Sequence, residues 1–300
     1  MNLPTPAPEQ TDVTAELQAL PAAVRAELLA ATISADAARQ TARGASVAQA
    51  IFLTDMARAT RTSVAAMLGH AQLLEMGLAE QGDVLQRLRS SGSRLLTLLD
   101  DVLALARLQA GRTIVGREPA MTGDAVGAAL LLTLGAVPTR GVRVVDESGN
   151  TRGVAYVGDE RRVREILVTL VETASELATA GGTITVRCST ASERSSTRAD
   201  LAGDGPWTSI CVEDPSGGLA AGERAGCFEA FHGRELGLAE SKHDAGLGFA
   251  ISRGLARLMG GDLTVEHAPD DGAAFALWLP ATADGESAAD RVARARDFRA

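Results

Sequence analysis

Between Leu85 and Ala106 the residues Leu85, Leu88, Gly92, Leu95, Leu99, Val102 and Ala106 follow one another in alternating steps of three and four. That heptad spacing lays one continuous stripe along a helix and excludes a strand. Upstream, Phe52, Met56, Thr60, Val64, Met67, Ala71, Leu74 and Leu78 mark one face of another long helix. Gly77 and Gly82 punctuate the short stretch between them, so the two helices are expected to fold back as an antiparallel hairpin. A single hairpin leaves much of its apolar surface in water. Two hairpins are therefore expected to pair as a dimeric four-helix bundle.

The sequence from Asp55 to Glu75, DMARATRTSVAAMLGHAQLLE, resembles the dimerisation and phosphoacceptor domain of bacterial two-component histidine kinases, whose first helix runs M-S-H-E-L-R-T-P-L-N-A-I-x-G. Met56, Arg61, Thr62, Val64, Ala66, Gly69, Leu73 and Leu74 fit, and LLTLLDDVLALARLQAG from Leu95 to Gly111 fits the second helix. The departures carry the functional content. Arg58 stands at the phosphoacceptor histidine, Ala59 at the adjacent acid and Ser63 at the helix-kinking proline. A guanidinium stays protonated and has no lone pair with which to attack phosphate. The resemblance thus implies a chain with no catalytic acceptor at position 58. Its partner-docking face would be Arg58, Arg61 and Thr62, and Thr62 matches the family's water-orienting threonine in phosphatase action.

Three hundred residues suggest roughly two domains. A net charge of −9 without a basic run argues against a nucleic-acid surface. Cys188, Cys211 and Cys227 lack C-x-x-C spacing and read as reduced thiols of a cytoplasmic protein. The N-terminus is Pro-rich and acidic, unlike a signal peptide, and no apolar run approaches the ~18 residues of a membrane span. With no space for an input domain, the signal is expected to arrive through a partner.

The expected organisation is multidomain. Residues 1–43 hold a polar stretch and an extra helix from Thr14 to Arg43, and residues 44–112 hold the hairpin. Residues 118–280 form an α+β two-layer sandwich, and 281–300 a tail. RTIVGREPA after Gly111 reads as a linker. Helices are expected over Thr122–Leu134, Asp159–Leu177 and Leu247–Met259. Strands are expected over Val142–Val145, Gly153–Val157, Thr183–Cys188 and Trp207–Glu213, with a terminal hairpin of Gly261–His267 and Ala273–Leu279. Ser189 to Gly205 reads as a mobile loop.

This second region is similar to the ATP-binding domain of histidine kinases, which is shared more distantly with gyrase, the Hsp90 chaperones and mismatch-repair ATPases. Asp214-Pro215-Ser216-Gly217-Gly218 resembles the adenine element D-x-G-x-G, with Ser216 in place of the first glycine. Phe228-Glu229-Ala230-Phe231 resembles F-E-x-F, and Gly246-Leu247-Gly248-Phe249 resembles the phosphate element G-x-G-L, directly before a helix where N–H groups suit phosphate. The magnesium element N-L-x-x-N-A-x-K reads Thr169-Leu170-Val171-Glu172-Thr173-Ala174-Ser175-Glu176, with both asparagines and the lysine replaced. The resemblance implies Asp214, Gly218, Gly246, Gly248 and Thr173 as nucleotide-binding residues. It also implies weak or absent Mg-ATP binding, with ATP or ADP held weakly if at all, and no metal site.

His70 lies twelve residues beyond Arg58, a rotation of about 120°, and reads as a packing or surface residue rather than a displaced acceptor. His232, His243 and His267 show no metal or triad spacing. The expected function is that of a catalytically degenerate, dimeric histidine-kinase-like scaffold or regulator in a two-component pathway. Its partners would be a response-regulator receiver domain, a true histidine kinase, or both. The alternatives are an active kinase with a displaced acceptor, or a response-regulator phosphatase using Thr62.

Overall fold

The computed structural model describes residues 53–77, 81–133, 141–148, 154–191, 199, 201, 205–215, 219, 224, 226–230, 247–268 and 272–282. The chain divides into two units, residues 1–54 and 55–300, and the elements positioned below belong to the second, apart from the first two residues of the first helix. The expected helix from Thr14 to Arg43 and the tail beyond residue 282 lie outside the described residues.

Residues 53–75 are helical (α1) and run through Ser63 without a break. Gly77, at φ +66, follows. The second helix, α2, covers Gln81–Gln109. Within one chain α2 buries Val84, Ser91, Leu98 and Leu105, seven residues apart. Leu88, Leu95 and Val102 are half-buried between them. The expected seam lies one residue further along. Leu85 and Leu99 are exposed, as are Leu96 and Leu103, and they form a second apolar stripe beside the first.

β1 (Glu118–Met121) leads into α3 (Thr122–Thr133), and β2 (Arg143–Asp146) and β3 (Ala155–Gly158) lead to α4 (Glu160–Leu177). β4 (Thr183–Ala191) and β5 (Trp207–Asp214) precede α5 (Gly248–Leu258), and β6 (Asp262–His267) and β7 (Ala273–Pro280) close the fold. The main sheet has the order β2-β4-β5-β7-β6, parallel only between β2 and β4. β1 and β3 form an antiparallel pair of their own. The Thr208 hydroxyl ties that pair to the main sheet by donating to the Ala155 carbonyl at 2.7 Å.

The apolar period of α4 sets the core. Val163, Ile166, Leu167, Leu170, Val171 and Ala174 are all buried against the sheet. Asp159 caps this helix, its carboxylate accepting from the Arg162 N–H at 3.2 Å. Alternation along β5 sends Ile210, Val212 and Asp214 to the helix side and Trp207, Ser209 and Cys211 to the outer side.

Two sequence expectations fail here. The stretch expected as a linker ends in strand β1, which Pro119 and the absence of β-branched residues disguise. The stretch expected as a mobile loop begins with three further strand residues, Ser189 to Ala191. Leu201 within it is buried against Trp207, Ala276 and Trp278, giving the outer face of the sheet a small core of its own.

Candidate functional site

The first half of the site lies on α1. Arg58 is exposed and its guanidinium meets Asp55 one turn earlier at 3.4 Å, with 65% of the arginine side chain open to solvent. Such a surface pair is worth only about 0–1 kcal/mol, so most of the charge remains available to a partner. The Thr62 hydroxyl donates to the Arg58 carbonyl at 3.0 Å. Its proton is thereby directed along the helix, a common habit of threonine in helices. Arg61 is exposed beside them, and Ala59, at the position of the family's acid, is half-buried. Arg58, Arg61 and Thr62 thus share one exposed stretch, whereas His70 is half-buried further along the helix.

The second half gathers on the helix side of the main sheet, where α4 packs against both β5 and α5. Asp214 ends β5 and is buried, at 1% exposure. Its backbone is held by a close approach that only glycine permits. A Cβ on Gly272 would lie 2.1 Å from the Asp214 carbonyl oxygen and 2.7 Å from the Pro215 Cα. Gly248 is the first residue of α5 and is buried, as is the preceding Leu247. Gly218 and Gly246 lie outside the described residues, as do Ser216, Gly217, Phe231, His232 and His243.

Thr173 and Thr169 are both buried on α4. The Thr169 hydroxyl donates to the Glu165 carbonyl at 3.2 Å and is committed to its own helix. Glu172 and Glu176 follow each other at helical spacing and are half-buried. This set does not fit a nucleotide-borne magnesium ion, which prefers an octahedral shell of hard oxygens and keeps several waters. Where the resemblance puts two carboxamides and an ammonium, the helix offers two short buried hydroxyls and added negative charge. Among the described residues no group of three or more His, Cys, Asp or Glu side chains gathers as a metal cage.

A network that the sequence did not announce joins the F-E-x-F element to α5. Phe228 meets Phe249 edge-on at 6.0 Å, and Phe249 stacks on Phe275 of β7 at 5.0 Å. The Arg253 guanidinium lies 4.7 Å above the Phe228 ring. The same guanidinium grips Asp262 through two bonds, at 2.9 and 3.2 Å, and Arg257 adds a third at 3.1 Å. Asp262 is fully buried. Helix α5 is thereby fixed to both the sheet and the residues that follow β5.

All three cysteines are free thiols. Burial pushes Cys188 up to about 11 and Cys227 up to about 12, so both stay protonated at neutral pH. His267 ends β6, exposed, with its Nδ1 3.2 Å from the Arg224 guanidinium. No described helix is long and apolar enough to cross a membrane.

Comparison with known proteins agrees with this layout. Residues 158–283 match the family described as histidine kinase-, DNA gyrase B-, and HSP90-like ATPase, and residues 48–111 match the His Kinase A (phospho-acceptor) domain. The chain is 32% identical to the sensor protein TorS of Escherichia coli (strain K12) over 85% of its own length and 26% of that protein's. It is 28% identical to the sensor histidine kinase GacS of Pseudomonas protegens over 84% of its length and 27% of the relative's. The chain therefore spans about a quarter of either relative. The structure of full-length ShkA in complex with AMPPNP superposes with a TM-score of 0.53 at 27% identity, over 70% of this chain and 40% of that one. The Acinetobacter baumannii histidine kinase AdeS shares the fold, with a TM-score of 0.55 at 15% identity over 74% of this chain and 97% of its own.

Proposed function

Because this chain belongs to the histidine kinase family of two-component signalling, we propose that it is a catalytically degenerate member acting as a dimeric docking protein for receiver domains or for an active kinase. The observation that carries this reading is Arg58. The acceptor position holds an exposed guanidinium that lacks the free lone pair of a neutral imidazole, one turn before a threonine hydroxyl bonded to its own helix. A receiver domain of this signalling system presents an acidic pocket to the acceptor face. Arg58 offers that pocket a fixed positive charge and charge-assisted hydrogen bonds in place of phosphotransfer. The threonines and glutamates of α4 support the same reading, because a chain that transfers no phosphate has no need of a magnesium-bound triphosphate.

Incubation with radiolabelled ATP and magnesium should leave no acid-labile, base-stable phosphate on the protein, in the parent or in Arg58→His. Arg58→Ala should weaken receiver binding by about 2–5 kcal/mol if the pair is desolvated in the complex. Label that appears on the parent and disappears in His70→Ala would replace this reading with an active kinase using a displaced acceptor. Unchanged affinity of Arg58→Ala for every receiver would remove Arg58 from the docking surface.

A further inference from the structure

A cavity of about 330 Å³ opens where the β1–β3 pair meets the first turn of α4, bounded by Gly116, Pro119 and Gly158 and by Glu160, Arg161 and Arg164 of the helix. That volume is at the small end of the range for small-molecule sites. The sheet separates it from the nucleotide-binding elements. Tyr156 on β3 bridges Ala281, and Pro280 pairs with Trp207 at the start of β5. Asp214 closes that strand at its other end, about 23 Å along it.

The charges in the helical wall run against the helix. The start of an α-helix carries a partial positive charge and favours acids. Helix α4 nevertheless places Arg161, Arg162 and Arg164 at its start. Arg162 is paired, its guanidinium donating to Glu165 at 2.8 Å. Among the described residues Arg161 and Arg164 have no carboxylate partner, although Glu160 stands one turn before Arg164. Three residues apart, these two cations are neighbours on the helix surface, which costs stability. The Asp159 carboxylate is already taken up, by the Gly116 N–H at 3.0 Å and the Arg162 N–H at 3.2 Å. Two cations that weaken their own helix and line a cavity are suited to an anion from outside.

A buried polar group lies against the same wall. A Cβ on Gly158 would sit 3.3 Å from Tyr156 Cδ2. Tyr156 is fully buried and its hydroxyl has no partner. The charges of Glu160, Asp159 and Arg164 act on that hydroxyl, and burial pushes the phenol up, so it remains a donor. We propose that the cavity binds a small phosphomonoester, its dianionic head between Arg161 and Arg164 and its hydroxyl-bearing body against Glu118 and Glu160. Two guanidiniums at a helix start suit a dianion through charge-assisted hydrogen bonds. The carboxylates accept from the hydroxyls of the ligand. This site stands independently of whether the protein transfers phosphate or docks a receiver.

The test titrates the full chain by calorimetry with glycerol 3-phosphate, inorganic phosphate and glycerol, in the absence of magnesium and nucleotide. Glycerol 3-phosphate should bind saturably, inorganic phosphate about tenfold more weakly, and glycerol not at all. Arg161→Gln and Arg164→Gln should each weaken glycerol 3-phosphate about tenfold, as lost charge-assisted contacts. Without ligand, the double variant Arg161→Gln/Arg164→Gln should melt about 1–3 °C above the parent, because the like charges at the helix start are gone. Parent-like binding by the folded double variant would overturn the site, as would a parent that millimolar glycerol 3-phosphate does not saturate. A double variant that melts below the parent would make the arginines structural and overturn it as well.

Discussion

Asp262→Ala tests how helix α5 is held. The carboxylate is fully buried and accepts hydrogen bonds from the Arg253 fork and from Arg257. Breaking a buried ion pair by deleting one partner costs about 3–5 kcal/mol when the other charge is stranded. Here the guanidiniums keep 27% and 48% of their side chains in water, so the stranded charges rehydrate in part. The expected loss is therefore lower, about 2–3 kcal/mol. Arg253→Ala should cost nearly as much, because it removes both bonds of the fork and the contact above Phe228, itself worth about 0.5–1 kcal/mol. Arg257→Ala should cost about 0.5–1 kcal/mol, because nearly half of its side chain is in water. Asp262→Ala and Arg253→Ala combined should cost about 1–2 kcal/mol less than their sum. Urea unfolding reads these values directly. With a denaturant slope of about 1–3 kcal/mol/M, Asp262→Ala should lower the midpoint by roughly 1 M. If Asp262→Ala costs no more than Arg257→Ala, or if the two losses simply add, the reasoning is refuted and α5 is held by its apolar face alone.

Other outcomes follow from the same geometry. Gly272→Ala forces a Cβ against the Asp214 carbonyl, so it should destabilise by about 2–4 kcal/mol in thermal melts, well beyond an ordinary surface change. Asp159→Ala should cost about 1–2 kcal/mol through the lost helix cap and the lost Gly116 bond. Burial acts to raise the Asp159 carboxyl, yet the N–H groups of Gly116, Arg162 and Arg161 hold it below the ordinary carboxylate range. Its stabilisation is accordingly present at neutral pH and lost as pH falls through that range and below, and acid melts of Asp159→Ala should converge on the parent there. Leu99→Glu with Leu103→Glu should yield a folded monomer by light scattering, whereas Leu98→Asp should unfold the hairpin itself; a parent that is already monomeric sinks the dimer reading.

How far the sequence carried these conclusions varies from element to element. Helix α4 was legible because six apolar residues repeat at helical spacing and an aspartate stands at its cap. The offset of the α2 seam was not. Val84, Ser91, Leu98 and Leu105 form one stripe and Leu85, Gly92, Leu99 and Ala106 another, about 100° apart, flanking the shared Leu88, Leu95 and Val102. Periodicity cannot say which stripe faces the chain's own α1 and which a second copy. Gly272 showed no signal because a glycine beside a strand is ordinary until a neighbouring backbone is known to touch it. Arg253 and Asp262 were silent for a similar reason: they meet where a helix gives way to a strand, a place with no sequence period. Among the candidate site residues, Arg58 and Thr62 stood out because a familiar pattern surrounds them, and Gly248 because it opens a helix.

The small core beneath Leu201 has an optical consequence. The chain's only two tryptophans, Trp207 and Trp278, are both in it. Trp207 opens the strand that Asp214 ends, seven residues and about 23 Å away, with its ring on the opposite face of the sheet. Intrinsic emission from this protein is thus a gauge of the outer surface, sensitive to anything that lifts Leu201 and blind to whatever occupies the ground between Asp214 and Gly248. A titration followed by that emission would return a flat line even for a bound nucleotide, whereas calorimetry or a labelled ligand would see the binding itself.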